Sequence, residues 1–190
     1  MTLSIEIHVI AFPESSAVHL AYITAKEVLL EALNLNVVSV SKYEPPASAY
    51  DSLRNQFNAE TLLLHAHARR SCRECILLCI CDLDGYVPGL NFVFGLAIPA
   101  LQCCAVFITR LKTANTKLFV DRCRKEILHE IGHVLGLEHC HVRGCVMNFS
   151  NSLLEVDEKS WKFCLYCAEK LRRRGVKINP SYVLHSHTLT

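Results

Sequence analysis

Residues 129–139, HEIGHVLGLEH, constrain this chain more than any other stretch. His129 and His133 are four apart, so on an α-helix they lie on one face, one turn apart. Two imidazoles so placed reach one Zn²⁺ from the same side. Glu130 is the next residue round the helix. It is badly placed to be a third ligand and well placed to act as general base on a metal-bound water. Gly136 is the residue type that ends a helix, because it enters the left-handed region without penalty. The chain then turns back and brings His139 to the metal. Three neutral imidazoles and one open position describe a catalytic zinc, not a closed structural one. His129, Glu130 and His133 alone would also fit a solvated helix face; Gly136 and His139 each add an independent match.

The cysteines give the second constraint. There are 11 in 190 residues. The count is odd, and residues 1–12 lack the basic and apolar regions of an export signal. A reduced cytoplasmic protein is expected, with the intracellular disulfides of a thermophilic source as the alternative. Cys140 and Cys145 are separated by four residues, and Cys164 and Cys167 by two. Both spacings suit a tetrahedral four-cysteine zinc, with a disulfide or buried thiols as the competing readings. On a helix, Cys164 and Cys167 share a face. Cys140 directly follows His139, so a second metal would hold the third ligand of the first. Cys75, Cys79 and Cys81 alternate onto one face of a strand. With Cys72 they read as buried thiols rather than a redox pair or a third metal. Cys103 and Cys104 point to opposite faces of their strand and read as packing. Met147 alone reads as a core methionine. His65, His67 and His141 read as surface or hydrogen-bonded residues, His141 being nearest both metals. The basic run 172–174 with Lys177 reads as a helix end favoured by the dipole.

The remaining chain supplies a scaffold. Residues 4–10 and 36–40 read as strands, and an apolar period of three and four from Pro13 and Ser15 to Leu33 reads as a helix. Residues 51–57 and 59–68 look helical, and 75–82 is a buried central strand. Between Asp84 and Arg110 no side chain is charged, but Pro88, Gly89 and Pro99 break the run into two strands, 91–97 and 103–109, rather than a membrane span. Asn115 or Thr116 caps a helix reaching Gly136. Ser152 and Glu155 form the entry to a last helix, about 156–174, closed by Gly175. The tail from 177 has no period. This order predicts an α/β (α+β) fold with a mixed, five-stranded twisted sheet, an active-site helix and a C-terminal helix. The expected organisation is one domain over 1–190: a sheet-rich half to 115, the active-site and C-terminal helices with the turn between them over 116–175, and a tail from 176. A net charge of +2 says little about partners and does not point to nucleic acid; no nucleic acid or membrane partner and a monomer are expected.

HEIGHVLGLEH, Cys140, CVM at 145–147 and CLYC at 164–167 together resemble the archaemetzincin signature, within the metzincin clan of zinc metallopeptidases. The resemblance covers 123–171 most closely. It implies that His129, His133 and His139 bind a catalytic zinc and that Glu130 is the general base. It implies that Met147 is the methionine of the turn beneath the metal. It further implies that Cys140, Cys145, Cys164 and Cys167 hold a structural zinc, making two Zn²⁺ per chain. The expected function is peptide-bond hydrolysis on a peptide or protein substrate lying along the edge strand 91–97. A zinc-bound interaction module with little catalysis is the alternative, and a thiol redox protein ranks third.

Overall fold

The structure is a computed structural model that describes residues 3–12 and 16–184. Five strands form the main sheet: β1 (Ser4–Ile10), β2 (Asn36–Tyr43), β5 (Ile76–Cys81), β7 (Gly95–Ile98) and β8 (Cys103–Phe107). Their order is β2-β1-β5-β8-β7. The first four in that order are parallel, and β7 runs antiparallel to β8 at the edge. A small second sheet, β3 (Tyr50–Asp51), β4 (Gln56–Asn58) and β6 (Gly85–Tyr86), sits beside it. The helices are α1 (Ser16–Leu33), α2 (Ala59–Ala68), α3 (Thr116–Val134), α4 (Leu153–Glu158) and α5 (Leu165–Arg173).

The period-two pattern of β1 explains the layering. Ile5, Ile7 and Val9 join the core under α1 and α3, while Ile10 joins the core under α2. Every residue of β5 is buried, as its unbroken apolar run requires of a central strand. Cys104 packs on the α3 face and Cys103 on the α2 face, as alternation demands. No helix among the described residues is long and apolar enough to cross a membrane; the uncharged 85–109 region forms strands and a short 3-10 turn.

Several expectations are corrected. Residues 51–57 form a hairpin, not a helix. Asp51 Oδ1 accepts from Leu53 N and Arg54 N at 3.0 and 3.2 Å, and Asn55 turns the chain at φ 53°. A side chain that satisfies nearby amides competes with the helix for them. The last helix is two helices. Residues 159–164 are drawn out because their backbone is used elsewhere: Lys162 O accepts from Val146 N (2.8 Å), and Phe163 N donates to Tyr182 O (2.9 Å). Cys164 is therefore the N-cap of α5, its sulfur accepting from Cys167 N, and not an interior helix residue. The strand expected from 91 begins only at Gly95. The tail does not wander at first: Ile178, Tyr182 and Val183 are buried and Asn179 N donates to Ala32 O. Cys72 and Cys75, expected as thiols, form a disulfide, whereas Cys79 and Cys81 are free and buried. The expected start of α1 at Pro13 and Ser15 and the tail beyond 184 lie outside the described residues.

Candidate active site and metal centres

Helix α3 starts where Asn115 Oδ1 accepts from Leu118 N and ends at Val134. Its second half carries the motif. Gly136 sits at φ 87°, and its bare Cα faces the Arg174 guanidinium, which donates to Leu135 O. A side chain at 136 would fail on both counts. The turn brings His139 back against the helix, so that the ring nitrogens of His129, His133 and His139 lie within 4.8 Å of one another.

The tautomers are set from outside. His129 Nδ1 lies 2.8 Å from Val146 O, and His133 Nδ1 lies 2.9 Å from Leu137 O. A carbonyl only accepts, so each Nδ1 carries the proton and each Nε2 is a free lone pair. Those two Nε2 atoms are 3.1 Å apart. Two tetrahedral ligands at ordinary Zn–N lengths stand about 3.3 Å apart, so the set fits one ion. Burial pushes the pKa of all three rings down and the charge of Lys159 adds to it; neighbouring imidazoles add further at His129 and His139, while at His133 the Leu137 carbonyl and Glu126 oppose it. The direction favours the neutral ring that a metal ligand requires.

Glu130 is 4% exposed and points toward the edge strand: a Cβ on Gly95 would lie 2.5 Å from its Cγ and Cδ. Burial raises its carboxyl well above the usual range; Glu126 adds to this and Lys159 opposes it. Met147 is fully buried beneath α3, its Sδ occupying the space a Cβ on Gly132 would take.

Cys140, Cys145, Cys164 and Cys167 form the second group, again within 4.8 Å. Cys140 Sγ is 3.7 Å from Cys164 Sγ, and Cys145 Sγ is 3.9 Å from Cys167 Sγ. Sulfurs on a tetrahedral zinc stand about 3.8 Å apart, so this set fits too. Opposite Cys167, and receiving the amide of Cys164, the Cys145 thiol is held down to about 6. The two groups share one backbone step, His139–Cys140, and Cys140 N donates to Met147 O (2.9 Å). His141 is exposed and belongs to neither group.

A cleft of about 720 Å³ runs between β7 with its preceding loop and α3, lined by His129, Glu130, His133, His139, Phe149 and Lys159 among others. Residues 91–97 line it as expected. Three contributors escape sequence reasoning: Gly95, Glu126 and Lys159. An isolated glycine in an apolar run is a signal of close approach. The ion pair of Glu126 and Lys159 spans 33 positions and leaves no local pattern.

A model of "Peptidase family M54" matches residues 23–173. Archaemetzincin of Aeropyrum pernix is 48% identical over 141 residues, covering 73% of this chain and 77% of that relative. The crystal structure of archaemetzincin from Methanopyrus kandleri superposes with a TM-score of 0.80 at 36% identity, covering 89% of this chain and 94% of that one. That of Archaeoglobus fulgidus, complexed with malonate, gives 0.76 at 33%, covering 88% and 99%. The chain thus belongs to peptidase family M54, the archaemetzincins, and is a zinc metallopeptidase.

Proposed function

We propose that this chain hydrolyses peptide bonds with His129, His133 and His139 holding one catalytic zinc and Glu130 as general base, while Cys140, Cys145, Cys164 and Cys167 hold a second, structural zinc. Residues 1–190 act as one catalytic domain, the part before 115 giving the cleft its rim and 116–175 its chemistry. The observation that carries this reading is the pair of free Nε2 lone pairs, 3.1 Å apart, beside a buried carboxylate in an open cleft. When bound, a zinc ion there supplies Lewis acidity toward a carbonyl and a water acidified to a pKa of about 7.

The chain's own residues do the rest. Among the described residues no strand pairs with the outer edge of β7, and β8 occupies its other side. An extended peptide adds there as a further strand through main-chain hydrogen bonds. Glu130 takes the proton from the attacking water and passes it to the leaving amine. Val146 O and Leu137 O keep His129 and His133 in the tautomer that faces the cleft. Met147 supports the helix from below.

The test is Glu130→Gln, which retains both zincs and loses hydrolysis of a peptide library containing free and capped amines. Equal turnover by that variant would remove Glu130 as the base. No cleavage by the wild type with both zincs bound would favour the interaction module instead.

A further inference from the structure

Lys159 lies in the wall of the cleft with its side chain only 2% exposed. Its Nζ is 2.9 Å from Glu126 Oε1 and donates to Asn148 O at 3.3 Å. Glu126 is on α3, one turn before Glu130. Asn148 follows Met147, and its Nδ2 donates to Cys140 O and Val142 O at 2.6 and 2.9 Å. One ammonium thus ties the face of α3 that carries Glu130 to the loop that carries Met147 and, through Asn148, to the segment beginning at His139.

Other contacts join α3 to α4. Arg122 meets Asp157 at 2.6 Å, and Lys125, paired with Asp121 within α3 at 2.7 Å, donates to Asp157 O at 3.1 Å. Those partners are about a third exposed and none of the four residues lines the cleft. The Arg122 and Lys125 contacts with Asp157 bridge α4 and α3. The Lys159–Glu126 pair is different, because both ends are buried and both face the substrate channel. Burying two charges costs several kcal/mol in desolvation, and apolar residues of the same volume usually stabilise a fold as well or better. Stability therefore does not account for this pair.

We propose that Lys159 is a positioning residue for hydrolysis: its tether between Glu126 and the Asn148 carbonyl sets the spacing between the Glu130 face of α3 and the cleft wall after Met147. This rests on the reading of Glu130 as general base. Lys159 is not one of the candidate metal ligands, and its Nζ is engaged by Glu126 and the Asn148 carbonyl.

The experiment replaces the pair with apolar residues of similar volume, Lys159→Met with Glu126→Leu, so that no buried charge is left alone. Thermal midpoint, zinc per chain, kcat and KM are measured beside wild type, Glu130→Gln, and the control Arg122→Met with Asp157→Leu. The expected result is a midpoint at or above that of the wild type, unchanged zinc, KM within about threefold and kcat down by about tenfold or more. The control pair keeps its kcat. A wild-type kcat in the apolar double variant overturns the proposal, since the pair would then be structural only. So does an equal kcat loss in the control, because any stitch would serve. Should Glu130→Gln keep its turnover, the general-base reading fails separately, and that outcome is distinguishable from either result for Lys159. If the double variant does not fold, Lys159→Gln with Glu126→Gln is read the same way.

Discussion

Gly95→Ala separates the geometry of Glu130 from everything else in the site. Gly95 is the first residue of β7 and is not among the residues at positive φ, so alanine is conformationally allowed. Its Cβ would nevertheless sit 2.5 Å from Glu130 Cγ and Cδ, where real contacts stay beyond 3.0 Å. Either the Glu130 side chain rotates or the sheet edge moves away from α3. A rotation of about 30° off its rotamer costs roughly 0.5–1.5 kcal/mol, and overpacking as a whole about 1–3 kcal/mol. Replacing glycine returns about 0.4–1 kcal/mol through the unfolded chain. The net loss is about 0–2.5 kcal/mol, or at most roughly 10 °C in the thermal midpoint of a chain this long. Activity suffers more. With Glu130 as the proposed general base, moving its carboxylate by about 1 Å from the water it would deprotonate loses about a hundredfold in rate, near 2.7 kcal/mol of transition-state stabilisation. Steady-state kinetics on a cleaved peptide, with zinc per chain and thermal midpoint on the same preparation, make the measurement. The expectation is a small shift in midpoint, full zinc and kcat lower by about two orders of magnitude. A kcat within about threefold of wild type would show that Glu130 does not need the place it occupies.

The two metal groups predict different failures. Cys164→Ser should lose one zinc per chain and lower the thermal midpoint sharply, since a structural zinc contributes folding free energy; His133→Ala should lose the other with a smaller shift, and one zinc in the wild type would sink the two-site reading. Far from the cleft, Glu6 is fully buried and accepts from Ser71 N, Ser71 Oγ, Cys72 N and His8. Burial alone would raise its carboxyl, but the amides of Ser71 and Cys72, with His8 and the Ser71 hydroxyl, outweigh it and hold the pKa below the usual value. The carboxylate therefore stabilises the fold above its unfolded pKa of about 4.3, and that contribution is lost as the pH falls through the lower folded value. Glu6→Gln should cost about 1.5–3 kcal/mol at pH 7 by denaturant unfolding, with the gap to wild type closing in acid; a gap independent of pH would refute the charge assignment.

How far the chain was legible depends on how local each cause is. Helix α3 was readable because its cap, its i, i+4 histidines and its terminating glycine are all consecutive. The burial of β5 was readable from an unbroken apolar run. The hairpin at 50–58 was not, because Asp51 took amides that a helix pattern assigns to the backbone ladder. The break between α4 and α5 was hidden for a similar reason: Val146 and Tyr182, distant in sequence, use the backbone of 162 and 163. Cys164 and Cys167 still converge, but as a cap and the amide it receives rather than as one helix face. Lys159 within EKSWK carries no local pattern, and only the folded chain shows what it meets.

The Arg174 guanidinium that rests on Gly136 and accepts no substitute there has a consequence for how a peptidase is made safely. The end of the active-site helix is closed by a residue nearly forty positions later, and Val146, just before Met147, donates to Lys162 O, next to Phe163, which bridges to Val183. Synthesis proceeds at roughly 5–20 residues per second from the N-terminus. His129, Glu130 and His133 thus leave the ribosome seconds before the parts that close their site. A nascent chain that ends before Arg174 thus presents the motif without the guanidinium that closes the end of its helix.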